Sequence, residues 1–247
     1  MSATSNPGPN LLPRPQQNRL LAALSPEVQG RLFPHLELVS LQLREPLCEC
    51  KRPLRHVYFP TDCVISVQHI LQDGASTGLL VVGNEGMHGI NSIMSEHCAP
   101  SRSLVQSAGH AYRLERQRVR KEFARHDHLM ALLLSYTLAL IEQIAQTAVC
   151  NRQHSIDQQL CRWLLLSMDR LSHNHLSMTQ EFIANILGVR RESVTVAIGK
   201  LEQKGVIVCS RGMITVLDRA KLESLSCECY RVVKKETDQL LRYLPTP

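Results

Sequence analysis

From Leu129 to Cys150 the chain reads LMALLLSYTLALIEQIAQTAVC, without a proline or a glycine. An uninterrupted apolar stretch of this length has few outcomes, and its side-chain spacing selects a helix. Leu133, Tyr136, Leu140, Gln143, Thr147 and Cys150 recur at steps of three and four and form a seam along one face. Leu132, Leu134, Leu138, Ile141 and Ile144 supply a second apolar face. A helix that is apolar on two sides packs one against its own domain and the other against a partner. The seam is the expected partner face, so Leu133, Tyr136, Leu140, Gln143 and Thr147 are the expected contacts of a homodimer. The stretch is long enough to span a bilayer, but Glu142, Gln143 and Gln146 would be costly in lipid, and aromatic anchors are missing from the flanks. It therefore reads as a soluble helix with no membrane partner.

The two sides of this helix differ in texture. The chain opens on MSATSNPGPNLLPRPQQN, polar and proline-rich with no apolar signal core, which reads as a flexible arm on a cytoplasmic protein. Asn18 to Leu32 is helical in period, with Ser25 placed to cap a helix that begins at Pro26. From Leu36 to Leu114 short apolar runs (HVYF, CVISVQHI, TGLLVV, SLVQSA, AYRLE) alternate with turn residues, as in a β-sandwich or barrel. Gln72-Asp73-Gly74 is the sharpest hairpin signal. Arg116 to Arg125 turns helical and basic. Beyond the long helix, Ser155 to Leu171 is amphipathic, with Ile156, Leu160, Trp163, Leu164 and Leu166 inward.

Residues 179–201, TQEFIANILGVRRESVTVAIGKL, carry the most specific signal. Thr179 caps a helix that buries Phe182, Ile183, Ile186 and Leu187. Ala184 is small where a second helix must cross, Gly188 suits a left-handed terminus, and Val189 plugs the turn. The next helix begins near Arg190 and turns Val194, Ile198 and Leu201 inward. Two helices crossing through a short turn present the start of the second to the major groove of DNA. Arg190, Arg191, Glu192, Ser193 and Thr195 stand there, with Thr179 and Gln180 at the start of the first helix. Arginine pairs with guanine, glutamate accepts from cytosine, and hydroxyls hold phosphates. Two strands, Val206 to Cys209 and Met213 to Leu217, then form a wing that turns at Ser210-Arg211-Gly212, with Arg211 at its tip facing phosphates. Residues 151–221 hold ten Lys or Arg against six Asp or Glu, so this part is locally basic within a chain of net charge +6.

Together these segments resemble the Crp/Fnr family of cyclic-AMP receptor and fumarate-nitrate regulators. The match runs in order along nearly the whole chain and is tightest at Thr179-Gln180-Glu181 through Gly188, at Arg191-Glu192-Ser193-Val194 and at Leu201-Glu202. The resemblance implies an α+β fold: an arm at 1–17, a jelly-roll-like sensor related to cyclic-nucleotide-binding domains at 18–128, a dimerisation helix at 129–150, a winged helix-turn-helix at 151–223 and a C-terminal helical extension at 224–247. It further implies a homodimer on palindromic operators, with RNA polymerase as a second partner. By the same analogy Arg191 and Glu192 read bases. Val196 stands where many members have another base-reading arginine, so the operator does not transfer.

Family members that bind cyclic nucleotides pair Gly-Glu with a later Arg-Ser or Arg-Thr. Here Gly89 precedes Ile90 and Arg102-Ser103 follows, so Gly89, Arg102 and Ser103 are the effector-site candidates. Ile90 cannot replace the carboxylate as an acceptor, which argues against cyclic AMP. Haem-sensing relatives direct attention to His69, His88, His97, His110 and Cys63, but no spacing singles out an axial pair. Iron–sulfur members use an N-terminal cysteine group, whereas the first cysteine here is Cys48. Cys48-Glu49-Cys50 and Cys227-Glu228-Cys229 belong to different domains. No metal site is therefore expected, and the nine cysteines read as separate reduced thiols, leaving the cofactor open. No phosphate loop, nucleophile elbow or metal-ligand helix suggests an enzyme. An inert β-roll serving protein interaction is the alternative to a DNA-binding regulator.

Overall fold

A computed structural model describes residues 12–48, 54–95 and 101–240, with Leu240 as backbone only. Expectations for the start of the arm, for Glu49-Cys50, His97 and Cys98, and for the end of the extension lie outside the described residues. In chain order come α1 (Arg19–Ala22), α2 (Pro26–Leu32), β1 (Glu37–Leu41), β2 (Pro46–Cys48), β3 (His56–Pro60), β4 (Val64–Ile70), β5 (Ser76–Val82), α3 (Ile90–Met94), β6 (Ser101–Ser107), β7 (Gly109–Glu115), α4 (Arg116–Phe123) and α5 (His128–Gln153). The remainder is α6 (Ile156–Met168), β8 (His175–Ser177), α7 (Gln180–Leu187), α8 (Arg191–Gln203), β9 (Ile207–Ser210), β10 (Met213–Val216), α9 (Arg219–Leu225) and α10 (Glu228–Leu240).

The β-rich half consists of two antiparallel sheets, ordered β2-β6-β4-β5 and β1-β7-β3. Leu41, Cys63, Val105 and Ala111 fill the space between them, with Leu47 and Tyr58 alongside. The β4–β5 hairpin turns over residues 71–75, where the Leu71 N–H donates to Ala75 O at 2.8 Å, as the Gln72-Asp73-Gly74 signal indicates. At the N-terminal end, Asn18 is fully buried and joins three segments. Its Oδ1 accepts from Leu21 N, and its Nδ2 donates to Pro60 O and Gly86 O. Ser25 caps α2 through Val28 N, and Pro26 occupies the first helical turn.

α5 has 26 residues and is long and apolar enough to cross a membrane by length and composition. Its surroundings distinguish its two apolar faces. Leu133 is 1% exposed, Tyr136 2% and Gln143 4%, because all three pack into the chain's own β-rich half. The Tyr136 hydroxyl donates to Met87 O at 2.9 Å, and Gln143 Oε1 accepts from Val81 N at 2.9 Å. Leu140 and Thr147 are half-buried. The seam expected between chains is therefore largely an intramolecular one. Tyr136 and Gln143 have polar ends that bond to backbone within the chain, which period alone does not reveal. On the other flank Leu138 is 60% exposed and Ile141 55%. Ala131, Leu134, Leu138, Ile141, Ala145 and Ala148 are all exposed, at alternating steps of three and four.

The two halves share a continuous core. Val64 and Val81 of the sheet join Leu160, Trp163, Leu164, Ile186 and Leu187 in one cluster. β4 is covered on both faces, which is why CVISV is a continuous apolar run and not an alternation. Across this junction Gln106 Nε2 donates to Ser167 Oγ at 2.8 Å, and Arg170 Nε donates to Glu85 Oε1 at 2.7 Å. Both members of the Arg170–Glu85 pair are under one-tenth exposed. The last two helices fold back: α10 packs along α5 and α6, and Cys227 and Cys229 meet Cys150 in a small buried cluster. These three thiols are thus not the separate groups their positions in the chain suggested.

Removing one member of a desolvated ion pair leaves the other charged and unpaired. Glu85→Ala is expected to cost about 3–5 kcal/mol in urea unfolding. An unchanged midpoint would mean that the pair is not desolvated.

Candidate nucleic-acid interface

Thr179 caps α7, its hydroxyl accepting from Phe182 N at 3.2 Å. Ile183, Ala184, Ile186 and Leu187 are buried, and Phe182 packs half-buried against the same core. Gly188 ends the helix at φ 66°, a left-handed conformation that a side chain would strain. Arg190 then stands in extended backbone as the N-cap residue of α8, and the helix proper starts at Arg191. Val194, Ile198 and Leu201 face inward, so Arg191, Glu192 and Thr195 face out. Ser193 is half-buried. Thr195 Oγ1 donates to Gln180 Oε1 at 2.7 Å, tying the start of α7 to the first turns of α8. Gln180 and Thr195 thus brace one another beside the two arginines.

The wing follows as a hairpin. β9 pairs with β10 through Ser210↔Met213, leaving Arg211 and Gly212 as the two-residue turn. Both have positive φ, 47° and 79°. That matches the mirror-image turn that suits strand twist, and it holds Arg211 outward at the tip. β8 adds a third strand beside β10, which the sequence reading did not identify.

Arg191, Arg211, Thr179, Gln180 and Glu181 border one open surface depression of about 620 Å³, and Arg44 joins them from the far half of the chain. Arg44 lies in the β1–β2 turn at φ 67°, and its Nη2 donates to Thr179 Oγ1 at 3.3 Å. Sequence reasoning missed it, because nothing in LREP marks an arginine that meets a helix 135 residues on. The β4–β5 hairpin also rests on the helix-turn-helix. A Cβ on Gly78 would come within 2.9 Å of Ile186 O, so only glycine allows this close approach. The exposed start of α8 is left uncovered by this contact.

A second concavity of about 520 Å³ lies between the two-sheet half and α5. Val67, Leu80, Val82, Met87, Leu140 and Ile144 are among the apolar residues of its lining, His69, His88, Asn91, Ser95, Ser101, Ser103 and Thr137 are polar, and Gly89 borders it too. Two of the three effector candidates, Gly89 and Ser103, are therefore together. Arg102 is not with them. On β6, Ser101 and Ser103 face the cavity, whereas Arg102 lies between them on the other side, the side from which Gln106 reaches Ser167. The phosphate-binding role implied for Arg102 is thereby corrected by strand alternation. Of the haem candidates, His69 and His88 line this cavity, while His110 binds Asp62 near the surface. Cys63 sits in the sandwich core, where burial pushes its thiol up to about 12.

Residues 158–225 match the Crp-like helix-turn-helix domain. No curated protein matches the chain. Among solved structures the chain is similar to FixK2 from Bradyrhizobium japonicum, with 16% identity over 78% of this chain and 98% of the other, at a TM-score of 0.65. It is also similar to CLP, the c-di-GMP responsive global regulator from Xanthomonas campestris (14% identity, 78% and 100% covered, TM-score 0.60). A transcriptional regulator of the Crp/Fnr family from Thermus thermophilus gives 19% identity, 77% and 98% covered, and a TM-score of 0.55. At these identities the likeness is one of fold.

His88 is buried at the cavity, and burial holds its imidazole at about 4, against 6.5 in an open chain. The folded protein thus resists a proton that the unfolded chain accepts, so this contribution to stability is full above pH 6.5 and declines as pH falls toward 4. His88→Gln is expected to flatten that part of the stability–pH curve. An equal slope in variant and parent would contradict the assignment.

Proposed function

Starting from a chain that has the Crp/Fnr regulator fold and carries a Crp-like helix-turn-helix DNA-binding domain, we propose a cytoplasmic transcription regulator that binds palindromic operators as a homodimer. The observation that carries this reading is the first turn of α8, where Arg191 and Glu192 project from a helix whose opposite side is buried, with Arg211 extended beside them. The bracing of Gln180 against Thr195 holds that turn in one orientation, which favours base reading over loose phosphate attraction.

The dimer is assigned to the exposed flank of α5. Ala131, Leu134, Leu138, Ile141, Ala145 and Ala148 follow the spacing of a two-stranded coiled coil, and small residues toward the C-terminal end let two helices approach. A two-fold axis along this flank repeats the α8 tip once per chain, as a palindrome requires. Ile141 and Ile144 also border the sensor cavity, so a partner helix would help to close it. The lining favours a small, mainly apolar effector over a cyclic nucleotide, since no lining side chain among the described residues offers a fixed positive charge to a phosphate. RNA polymerase is the expected second protein partner.

Arg191→Ala is expected to lower binding to the specific palindromic duplex by about 1–3 kcal/mol and to relax preference at one base pair in each half-site. Equal binding by variant and parent across all sequences would overturn the recognition-helix assignment. Leu138→Asp is expected to yield monomers in sedimentation and to weaken palindrome binding. An unchanged dimer would remove this flank from the interface.

A further inference from the structure

Cys150, His154, Cys227 and Cys229 converge where α5 ends and α10 begins. One ligand atom from each lies within 4.8 Å of every other. Cys150 Sγ and Cys227 Sγ are 3.6 Å apart, and Cys229 Sγ and His154 Nδ1 are 3.4 Å apart. A tetrahedral zinc ion binds sulfur at about 2.3 Å and nitrogen at about 2.0–2.1 Å, which spaces two sulfurs about 3.8 Å apart and a sulfur and a nitrogen about 3.6 Å. Both observed edges agree with these spacings to a few tenths of an ångström. An iron–sulfur cluster fits less well, because its four protein ligands are divided among two or four irons and as a set spread farther apart.

The surroundings of the four atoms are those of a metal centre. His154 directs Nδ1 toward Cys229, and its other nitrogen, Nε2, lies 3.3 Å from Glu228 Oε2. A carboxylate on the far nitrogen fixes the tautomer and orientation of a ligating imidazole. Gln146 Nε2 donates to Cys229 Sγ at 2.9 Å and so orients that sulfur. Cys150 and His154 stand one turn apart at the C-terminal end of α5, where the helix dipole favours a cation. Cys227 and Cys229 flank the start of α10, so one short segment delivers two sulfurs to the same point. The three cysteines are at most 5% exposed.

We propose that this chain binds one zinc-class divalent ion through Cys150 Sγ, His154 Nδ1, Cys227 Sγ and Cys229 Sγ. The ion fastens α10 to the junction of α5 and α6. That junction is the connection between the dimer helix and the DNA-binding unit, with His154 ending one helix and Ser155 capping the next. The four ligands complete the coordination, so the ion is structural and has no open position for substrate.

The test is Co²⁺ titration of the full chain, reduced and stripped with a chelator. One equivalent should give the intense ligand-field bands of a tetrahedral thiolate site and a thiolate-to-cobalt charge-transfer band. Cys229→Ser should weaken or abolish both, Cys48→Ser should leave both intact, and Glu228→Gln should weaken affinity by about 10–100-fold. X-ray absorption on the zinc-loaded parent needs no variant and should report three sulfurs and one nitrogen. Octahedral cobalt spectra, a shell of oxygen ligands, or full retention of the bands in a Cys150→Ser, Cys229→Ser double variant would each overturn the site. None of these readouts depends on DNA binding.

Discussion

The architecture depends on the two unlike flanks of α5. One flank is held inside the chain by Leu132, Leu133 and Tyr136, by the Tyr136 hydroxyl donating to Met87 O and by Gln143 Oε1 accepting from Val81 N. Those bonds end in segments next to the cavity, so the helix also forms a wall of that cavity. The other flank keeps its leucines and isoleucines in water. A stripe of that length is costly for a monomer and becomes favourable once a second helix covers it. Burial on one side thus fixes the rotation of the helix and decides which face stays exposed.

The β-rich half and the helix-turn-helix unit meet by direct contact. The β4–β5 hairpin meets α7 at Gly78, Arg44 reaches Thr179, and the Arg170–Glu85 pair is desolvated between the halves. Val64 and Val81 complete the core of the helix-turn-helix. A ligand that shifts the β5 wall of the cavity would therefore act on the packing of α7 with few intermediates. The Cys150, His154, Cys227 and Cys229 group lies at the remaining connection, the junction of α5 and α6.

Features carried by neighbours in the chain were legible before any coordinates. The Thr179 cap, the Gly188 terminus, the inward Val194, Ile198 and Leu201, and the Arg211-Gly212 turn each follow from local backbone preferences within a few residues. The same holds for Ser25-Pro26 and for the Asp73-Gly74 turn. Misreadings arose where a second segment decided the outcome. The periodicity of α5 defines two stripes, but which one is covered depends on Met87 and Val81 arriving from the sheet. Arg102 has a suitable neighbour in Ser103, yet strand alternation turns it away from the cavity.

The sequence by itself determined the helix-turn-helix and its wing, the position of the long helix and the β-rich character of residues 36–114, because periodicity, capping and turn chemistry act over one or two turns of chain. Only the tertiary structure decided which flank of α5 faces outward, that Arg44 stands beside the recognition surface, and that three cysteines and a histidine share one site. Cys150 and Cys227 are 77 residues apart, and Arg44 and Thr179 are 135. Contacts over such separations are fixed by how whole elements pack together, and no local preference encodes them.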